Sequence, residues 1–343
     1  MTFAVPPANL RPSDVSPGRI RAARLKGSSM SLLVAVTGWQ PDMWLDHFGR
    51  SARGLTVVDA RAPYDPAEVR YAAVWKPKPG LLAGLVHLEA IFNLGAGVDA
   101  LIADATLPAV PVVRVVDPDL TRRMTEYVVW QVLHHHRAGF HFHSAQSERR
   151  WRPLADQPAA GDVRIGIMGL GVLGRDAASA LRRLGFDVAG WSRRGDAASD
   201  VPVFAGAAGL DAFLARTDIL VVLLPLTPET RGILNAGLFA RLARDGRLGG
   251  PVLINAGRGG LQVETDIIAA LADGTLLGAS LDVFEAEPLS SDSPLWAAPN
   301  VVITPHAAAD SDPRRLCGYV LDQIERHRAG LALDNVVDRM TGY

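Results

Sequence analysis

Three glycines at GxGxxG spacing, Gly169, Gly171 and Gly174, stand between the apolar run 163–168 and the helix-patterned stretch 173–184, and they constrain this chain more than any other feature. A strand that turns tightly into a helix at such a loop is the context in which a dinucleotide is bound. Gly169 permits the tight turn, Gly171 lets the backbone approach a pyrophosphate, and Gly174 lets helix and strand pack closely. Amides of the first helical turn, those of Val172 and Leu173 among them, then face the phosphates together with the positive end of the helix dipole.

The surrounding pattern agrees with such a loop. Runs 163–168, 187–191, 219–223, 252–255, 277–282 and 301–304 read as six strands, with helices predicted over 173–184, 207–216 and 263–272. Strands joined by helical crossovers form a doubly wound nucleotide-binding domain. An earlier series, with strands predicted at 32–37, 55–59, 72–75, 88–93 and 112–116, is separated by short helices or Gly/Pro loops such as 77–80 and 95–97. The fold class is therefore α/β, with two doubly wound parallel sheets. Between the two series a helix without internal Gly or Pro runs from Asp119 to about Arg137, capped by Asp117 or Asp119. It links domains or packs a dimer. Its consecutive His134, His135 and His136 point about 100° apart and cannot converge on one ion, so they read as a solvated or interface face and no metal is expected. A last helix, 312–328, lies beyond the second series and can return to pack on the first.

A chain of 343 residues has room for two cores that enclose a cleft. Hydrophobic residues at 48% and charged residues at 21% place it in the soluble globular class, and apolar runs such as 219–225 fall short of the roughly 18 residues that span a bilayer. The formal net charge of −1 gives no attraction to nucleic acid or anionic lipid. A single cysteine, Cys317, permits no internal disulfide, which fits the reducing cytoplasm as the expected location. Residues 1–30 carry four prolines, five Arg/Lys and only Asp14 as acid, and read as a mobile extension. Arg-rich and acid-poor, they imitate a targeting peptide, but Pro6, Pro7, Pro12 and Pro17 break any amphipathic helix there.

The cofactor is selected at the end of the next strand. That position commonly carries an acid for a ribose 2′-hydroxyl, whereas here Trp191 is followed by Ser192, Arg193 and Arg194. A hydroxyl and two guanidiniums hydrogen-bond and neutralise a 2′-phosphate, so NADPH is expected over NADH.

Three polar groups follow predicted strands: Arg258 in Asn255-Ala256-Gly-Arg-Gly-Gly260, Glu287 in Asp282-Val-Phe-Glu-Ala-Glu-Pro288, and His306 in Thr304-Pro-His. In an open α/β sheet such carboxyl ends border the ligand crevice. An anion binder, a carboxylate and an imidazole together suit hydride transfer to a 2-oxo acid. Arg258 grips the substrate carboxylate through a planar fork that Lys does not offer, and His306 donates the proton to the carbonyl oxygen. Glu287 orients the imidazole and favours its protonated form, while the nicotinamide supplies the hydride. Pro225 and Thr227, just beyond the strand 219–223, and Asp282 at its strand end are expected beside the nicotinamide; loop capping is the other reading of Asp282.

From about Leu32 to Val337 the chain resembles the D-isomer-specific 2-hydroxyacid dehydrogenases. The resemblance rests on Asn93-Leu-Gly-Ala-Gly-Val-Asp99, the glycine loop, Leu224-Pro-Leu-Thr-Pro-Glu-Thr230, and the three strand-end motifs above. It implies catalytic roles for Arg258, Glu287 and His306, cofactor contacts at Ala256, and a loop Leu94-Gly95-Ala96-Gly97 that offers amides to the substrate carboxylate. It also implies a Rossmann-type cofactor domain, 123–306, inserted in a flavodoxin-like substrate domain, 31–122 and 307–343. Val74-Trp75-Lys76-Pro77, Met124-Thr-Glu-Tyr127 and Gly190-Trp-Ser-Arg193 look like the bacterial glyoxylate/hydroxypyruvate reductases. That subgroup implies NADPH, a small polar substrate and a homodimer built on the long helix, with Trp75 and Lys76 bordering the substrate and Trp151 near a partner's site.

Competing functions are separable by residue. Formate dehydrogenases of this fold carry Gln where Glu287 stands, and their chemistry has no carbonyl to protonate. A D-2-hydroxyacid dehydrogenase for larger 2-oxo acids differs only in pocket size. A nucleotide-sensing module like the C-terminal-binding-protein corepressors needs a peptide-binding surface for which no motif is present.

Overall fold

The structure, a computed structural model, describes residues 30–195, 199–340 and 342. Apart from Met30, the extension expected over residues 1–30 lies outside the described residues. The first sheet contains β1 (Ser31–Val36), β2 (Thr56–Asp59), β3 (Val69–Trp75), β4 (Ala90–Asn93) and β5 (Val112–Arg114) in the order β2-β1-β3-β4-β5, all parallel. This is the flavodoxin-like order. Helices α1 (Pro41–Arg50) and α2 (Asp99–Ile102) belong to its connections.

The second sheet contains β6 (Arg164–Met168), β7 (Asp187–Ser192), β8 (Val203–Ala205), β9 (Ile219–Val222), β10 (Val252–Asn255), β11 (Gly278–Leu281) and β12 (Val301–Ile303). Its order, β12-β11-β10-β9-β6-β7-β8, reverses direction at β6, which is the Rossmann arrangement and puts a ligand crevice beyond the carboxyl end of that strand. Six strands were expected in this series and seven are present among the described residues. The addition, β8, is a three-residue edge strand paired with β7, too short to show a period of two. Central strands such as Ile219–Val222 are buried along their whole length, because helices cover both faces, and so read as continuous apolar runs.

The long helix α3 (Pro118–His136) begins where Asp117 accepts a hydrogen bond from the Asp119 amide at 3.2 Å and Pro118 presets the first turn. A left-handed Ala138 (φ 54) separates it from α4 (Gly139–Ser147), a helix not anticipated from sequence. The three histidines at its end are not a solvated face, because α3 lies against α5 (Val172–Arg183) and β10. His135 Nε2 stands 2.9 Å from Ser280 Oγ, which donates to Gln131 Oε1 at 2.7 Å. His136 packs edge-on against Phe186 and His134 against Phe140.

Helices α6 (Gly206–Ala215), α7 (Ala236–Phe239) and α8 (Glu264–Ala272) complete the second layer system, and α9 (Pro313–Arg328) crosses back to α1. Leu316, Val320, Leu321 and Ile324 of α9 join Leu32, Trp44, Tyr71 and Phe92 in one core, each fully buried aliphatic contributing about 1.5–3 kcal/mol relative to exposure. Cys317 lies in the same core, where burial pushes its thiol up to about 12. Among the described residues, no helix is long and apolar enough to cross a membrane.

Candidate active site

Loops at the carboxyl ends of both sheets line one cleft of about 1390 Å³. Pockets for drug-sized ligands measure roughly 300–1,000 Å³, so this larger volume accommodates a dinucleotide together with a small acid. Its second-sheet wall contains Gly169, Gly171, Val172, Leu173, Gly174, Ser192, Arg193, Arg194, Pro225, Thr227, Ala256, Arg258, Asp282, Glu287 and His306. Trp75, Lys76, Gly95, Ala96 and Gly97 come from the first sheet. Leu94 is the exception among the expected lining residues. It is fully buried in the first-sheet core and its carbonyl accepts a bond from Ser311 Oγ at 3.1 Å, so it anchors the loop from behind.

The dinucleotide end is shaped by what glycine leaves out. Gly169 has φ +110, and a Cβ there would stand 2.8 Å from the Leu223 carbonyl; a Cβ on Gly174 would collide with the Gly169 carbonyl. Around Gly171 nothing lies within 4 Å of the same position, which leaves open space at the N-terminus of α5 for a phosphate. Beyond β7, the Ser192 hydroxyl is buried without a hydrogen-bond partner, while Arg193 and Arg194 are exposed beside it. A buried unsatisfied hydroxyl is costly unless a ligand completes it, and a 2′-phosphate flanked by two guanidiniums does so. These residues fit NADPH. Thr227 is otherwise engaged: its hydroxyl donates to Glu229 at 2.8 Å, and that bond is the leading cause of the lowered Glu229 carboxyl.

At the other end, His306 Nδ1 lies 3.0 and 2.9 Å from the two carboxylate oxygens of Glu287. A carboxylate only accepts, so Nδ1 carries the hydrogen and Nε2 is left to the cleft. Burial pushes the Glu287 carboxyl up, but the His306 bond and charge, the Phe284 amide and Lys76 outweigh it, and the net shift is downward. His306 itself has φ 54, a left-handed conformation unusual for a side-chain-bearing residue, held by its surroundings. Asp282 supplies that hold. Its backbone carbonyl accepts the His306 amide at 2.8 Å, Oδ1 accepts Thr304 Oγ1 at 2.6 Å and the Ala307 amide at 2.9 Å, and Oδ2 accepts the Ala308 amide at 3.1 Å. Loop capping is therefore the role the geometry displays, although Asp282 also borders the cleft. Tyr127 OH reaches Thr304 Oγ1 at 2.9 Å from α3, and burial raises its phenol.

Opposite stands Arg258. Its Nε donates to Asp99 Oδ1 at 2.9 Å and Nη1 to the Gly257 carbonyl at 2.7 Å, and a Cβ on Gly97 would collide with Nη2. Asn93 Nδ2 donates to the carbonyls of Gly95 and Gly97 at 2.7 and 3.0 Å. In a trans peptide the following amides point the opposite way, so those of Ala96 and Val98 turn away from Asn93. Trp75 is both core and lining: 8% exposed, it packs on Gly95 and stacks on Trp39 at 4.3 Å, and Trp39 stacks in turn on Trp44. Lys76 Nζ lies 3.6 Å from Glu287 Oε2, joining the two sheets.

Sequence reading missed Trp39, Asp99, Asn93 and Tyr127. Trp39 and Asp99 follow strands β1 and β4, so their strand-end position was an available signal. The role of Tyr127 depends on which face of α3 meets the β12 loop, and no local pattern reports that. Trp151 is 97% exposed and does not line the cleft.

Residues 129–308 match the family model described as D-isomer specific 2-hydroxyacid dehydrogenase, NAD binding domain. A glyoxylate/hydroxypyruvate reductase A from Escherichia fergusonii is 42% identical over 286 residues, covering 82% of this chain and 89% of the relative. Among solved structures, the NADPH-dependent glyoxylate/hydroxypyruvate reductase of Sinorhizobium meliloti, in complex with NADP and sulfate, is 48% identical with a TM-score of 0.88 and covers 92% of this chain and 100% of that one. A D-isomer specific 2-hydroxyacid dehydrogenase of Xanthobacter autotrophicus, in complex with NADPH and MES, is 44% identical with a TM-score of 0.86, at 92% and 100% coverage. The second sheet, the glycine loop and the facing Arg258 and His306 lie within residues 129–308, and the chain belongs to the D-isomer specific 2-hydroxyacid dehydrogenase family.

Proposed function

We propose that the protein uses NADPH to reduce a small 2-oxo acid, glyoxylate or hydroxypyruvate, to the corresponding 2-hydroxy acid, of D configuration where the product is chiral. The observation that carries this reading is His306, bonded through Nδ1 to Glu287, in the same cleft as Arg258. NADPH, when bound, supplies the hydride to the carbonyl carbon. Arg258 holds the substrate carboxylate with the N–H groups not taken by Asp99 and Gly257, and the turned amides of Ala96 and Val98 add neutral donors. His306 Nε2 gives its proton to the carbonyl oxygen as negative charge develops there, and Glu287 stabilises the imidazolium beforehand. The imidazole left behind keeps its Nδ1 hydrogen toward Glu287 and regains a proton at Nε2 from water. Ser192, Arg193 and Arg194, which line the same cleft, would hold the 2′-phosphate.

The preference for NADPH and for two- and three-carbon acids is supported by the names of the Sinorhizobium meliloti and Escherichia fergusonii relatives. The two sheets serve as a substrate domain, 31–122 and 307–343, and a cofactor domain, 123–306. We assign a homodimer built on α3 and α4, supported by the exposed Trp130, Phe142 and Trp151 on and just beyond those helices, and a cytoplasmic location. Steady-state oxidation of NADPH, with glyoxylate, hydroxypyruvate, pyruvate and phenylpyruvate offered in parallel, tests the reading. Turnover is expected with the first two in preference to phenylpyruvate; no turnover with any 2-oxo acid refutes the proposal.

A further inference from the structure

Asp99 has no assigned part in the chemistry, yet its carboxylate accepts the one side-chain hydrogen bond that Arg258 Nε donates among the described residues, across 159 positions of sequence. We infer that Asp99 is a positioning residue that fixes the plane of the Arg258 guanidinium, and so determines how tightly the 2-oxo acid carboxylate is held. The inference rests on the function proposed above.

Arg258 follows β10 in the second sheet, whereas Asp99 opens α2 after β4 in the first. Arginine has rotamer freedom to lose before a fork is in place. Three neighbours confine it here. Asp99 takes Nε, the Gly257 carbonyl takes Nη1, and Nη2 occupies the space that a side chain at 97 would fill. Gly97 lies in the loop that carries the turned amides and Asp99 opens the helix that follows it, so the guanidinium is laid along the first-sheet half of the site. The ion pair is partly shielded, with Arg258 and Asp99 side chains 22% and 26% exposed.

Charge and position act in opposite directions at this residue. A carboxylate beside Arg258 repels a second carboxylate, so a purely electrostatic role makes removal of Asp99 tighten substrate binding. A positioning role makes removal weaken it. The two are separated by a variant that keeps the acceptor oxygen without the charge. Asp99→Asn retains an oxygen for Nε, while Asp99→Ala retains none.

The experiment compares glyoxylate KM, NADPH KM and kcat for wild type, Asp99→Ala and Asp99→Asn, with thermal midpoints alongside. Asp99→Ala is expected to raise glyoxylate KM by about 10- to 100-fold, the range of one charged hydrogen bond, with NADPH KM within about threefold. Asp99→Asn is expected to recover most of that loss. In an Arg258→Lys background, which lacks the Nε donor, Asp99→Ala is expected to add less than about threefold. Should the alanine chain fail to fold, Asp99→Ser takes its place. An unchanged or lower glyoxylate KM in Asp99→Ala, an equal loss in NADPH KM, or full additivity with Arg258→Lys overturns the inference. Absence of wild-type turnover is instead a failure of the functional reading. In that event the same variants are compared by binding of oxalate to the NADPH complex, where unaltered affinity in Asp99→Ala, or no oxalate binding by the wild type, overturns the positioning role.

Discussion

Both carboxylate oxygens of Glu287 lie within hydrogen-bond reach of His306 Nδ1, at 3.0 and 2.9 Å, while Lys76 approaches Glu287 Oε2 from the other sheet at 3.6 Å. The carboxylate thus has an imidazole on one side and an ammonium on the other. Its lowered carboxyl pKa keeps it charged through the neutral range, so it remains available to stabilise an imidazolium throughout.

From this contact follows a split between two variants. His306→Gln is expected to lower kcat by about two to four orders of magnitude with NADPH binding retained, since the proton donor is lost and the cofactor end is untouched. Glu287→Gln keeps an acceptor for Nδ1 but loses the charge that stabilises the imidazolium, so kcat should fall by less than in His306→Gln, with NADPH KM little changed. An unaltered kcat counts against the pairing.

The 2′-phosphate site is tested at Ser192 and Arg193. Replacing Arg193 with alanine should raise NADPH KM by about 10- to 100-fold and NADH KM by far less. Ser192→Asp places a like charge where the phosphate would sit and should invert the preference toward NADH. Equal losses for both cofactors contradict the assignment.

Asp282 separates two roles by kinetics. Its oxygens and backbone carbonyl together hold Thr304, His306, Ala307 and Ala308, so Asp282→Ala should release the left-handed turn at His306. A kcat loss of at least about tenfold is expected, together with a lowered urea midpoint, because buried donors left unpaired cost about 1–3 kcal/mol each. NADPH KM should change little. A rise in NADPH KM with kcat preserved reassigns Asp282 to the nicotinamide carboxamide.

Acid should destabilise the fold through the α3 histidines. Desolvation lowers His134, His135 and His136, with His135 pushed down to about 3 and its neutral Nε2–H donating to Ser280, whose own hydrogen goes to Gln131. The unfolded chain binds a proton at each site near the ordinary imidazole pKa, and the folded chain does so only at lower pH. Stability is therefore full above about pH 6.5 and falls as pH drops toward the folded values, by at most about 1.4 kcal/mol per pH unit for each histidine. Urea midpoints between pH 7.5 and 5 should fall for wild type and less steeply for His135→Gln. Parallel slopes for the two proteins remove His135 from the effect.

Much of this molecule was legible as sequence because its main signals are local. The glycine loop, the apolar runs and Arg258, Glu287 and His306 each stand within a few residues of the strand that positions them. Backbone chemistry at a strand end depends on φ/ψ preference and burial, and both are written in neighbouring residues. Helix α3 was likewise found to within a residue or two, since Asp117 and Pro118 mark its start by hydrogen bonding and fixed φ. Shorter pieces escaped: β8 has three residues, and α4 follows a left-handed Ala138 that sequence does not flag.

Only the tertiary structure decided which groups meet across the cleft. Asp99 finds Arg258 over 159 positions, Tyr127 finds Thr304 over 177, and Trp39, in the loop after β1, stacks flat on Trp75 at the end of β3. Leu94, placed at the substrate by its motif, turns into the core, and the three histidines turn inward because α3 is clasped between α5 and β10. Sequence by itself determined the chemistry at each strand end; the meeting of those ends depended on how two separately wound sheets pack against each other. That geometry is set by the sum of many small side-chain contacts, and no single stretch of chain encodes it.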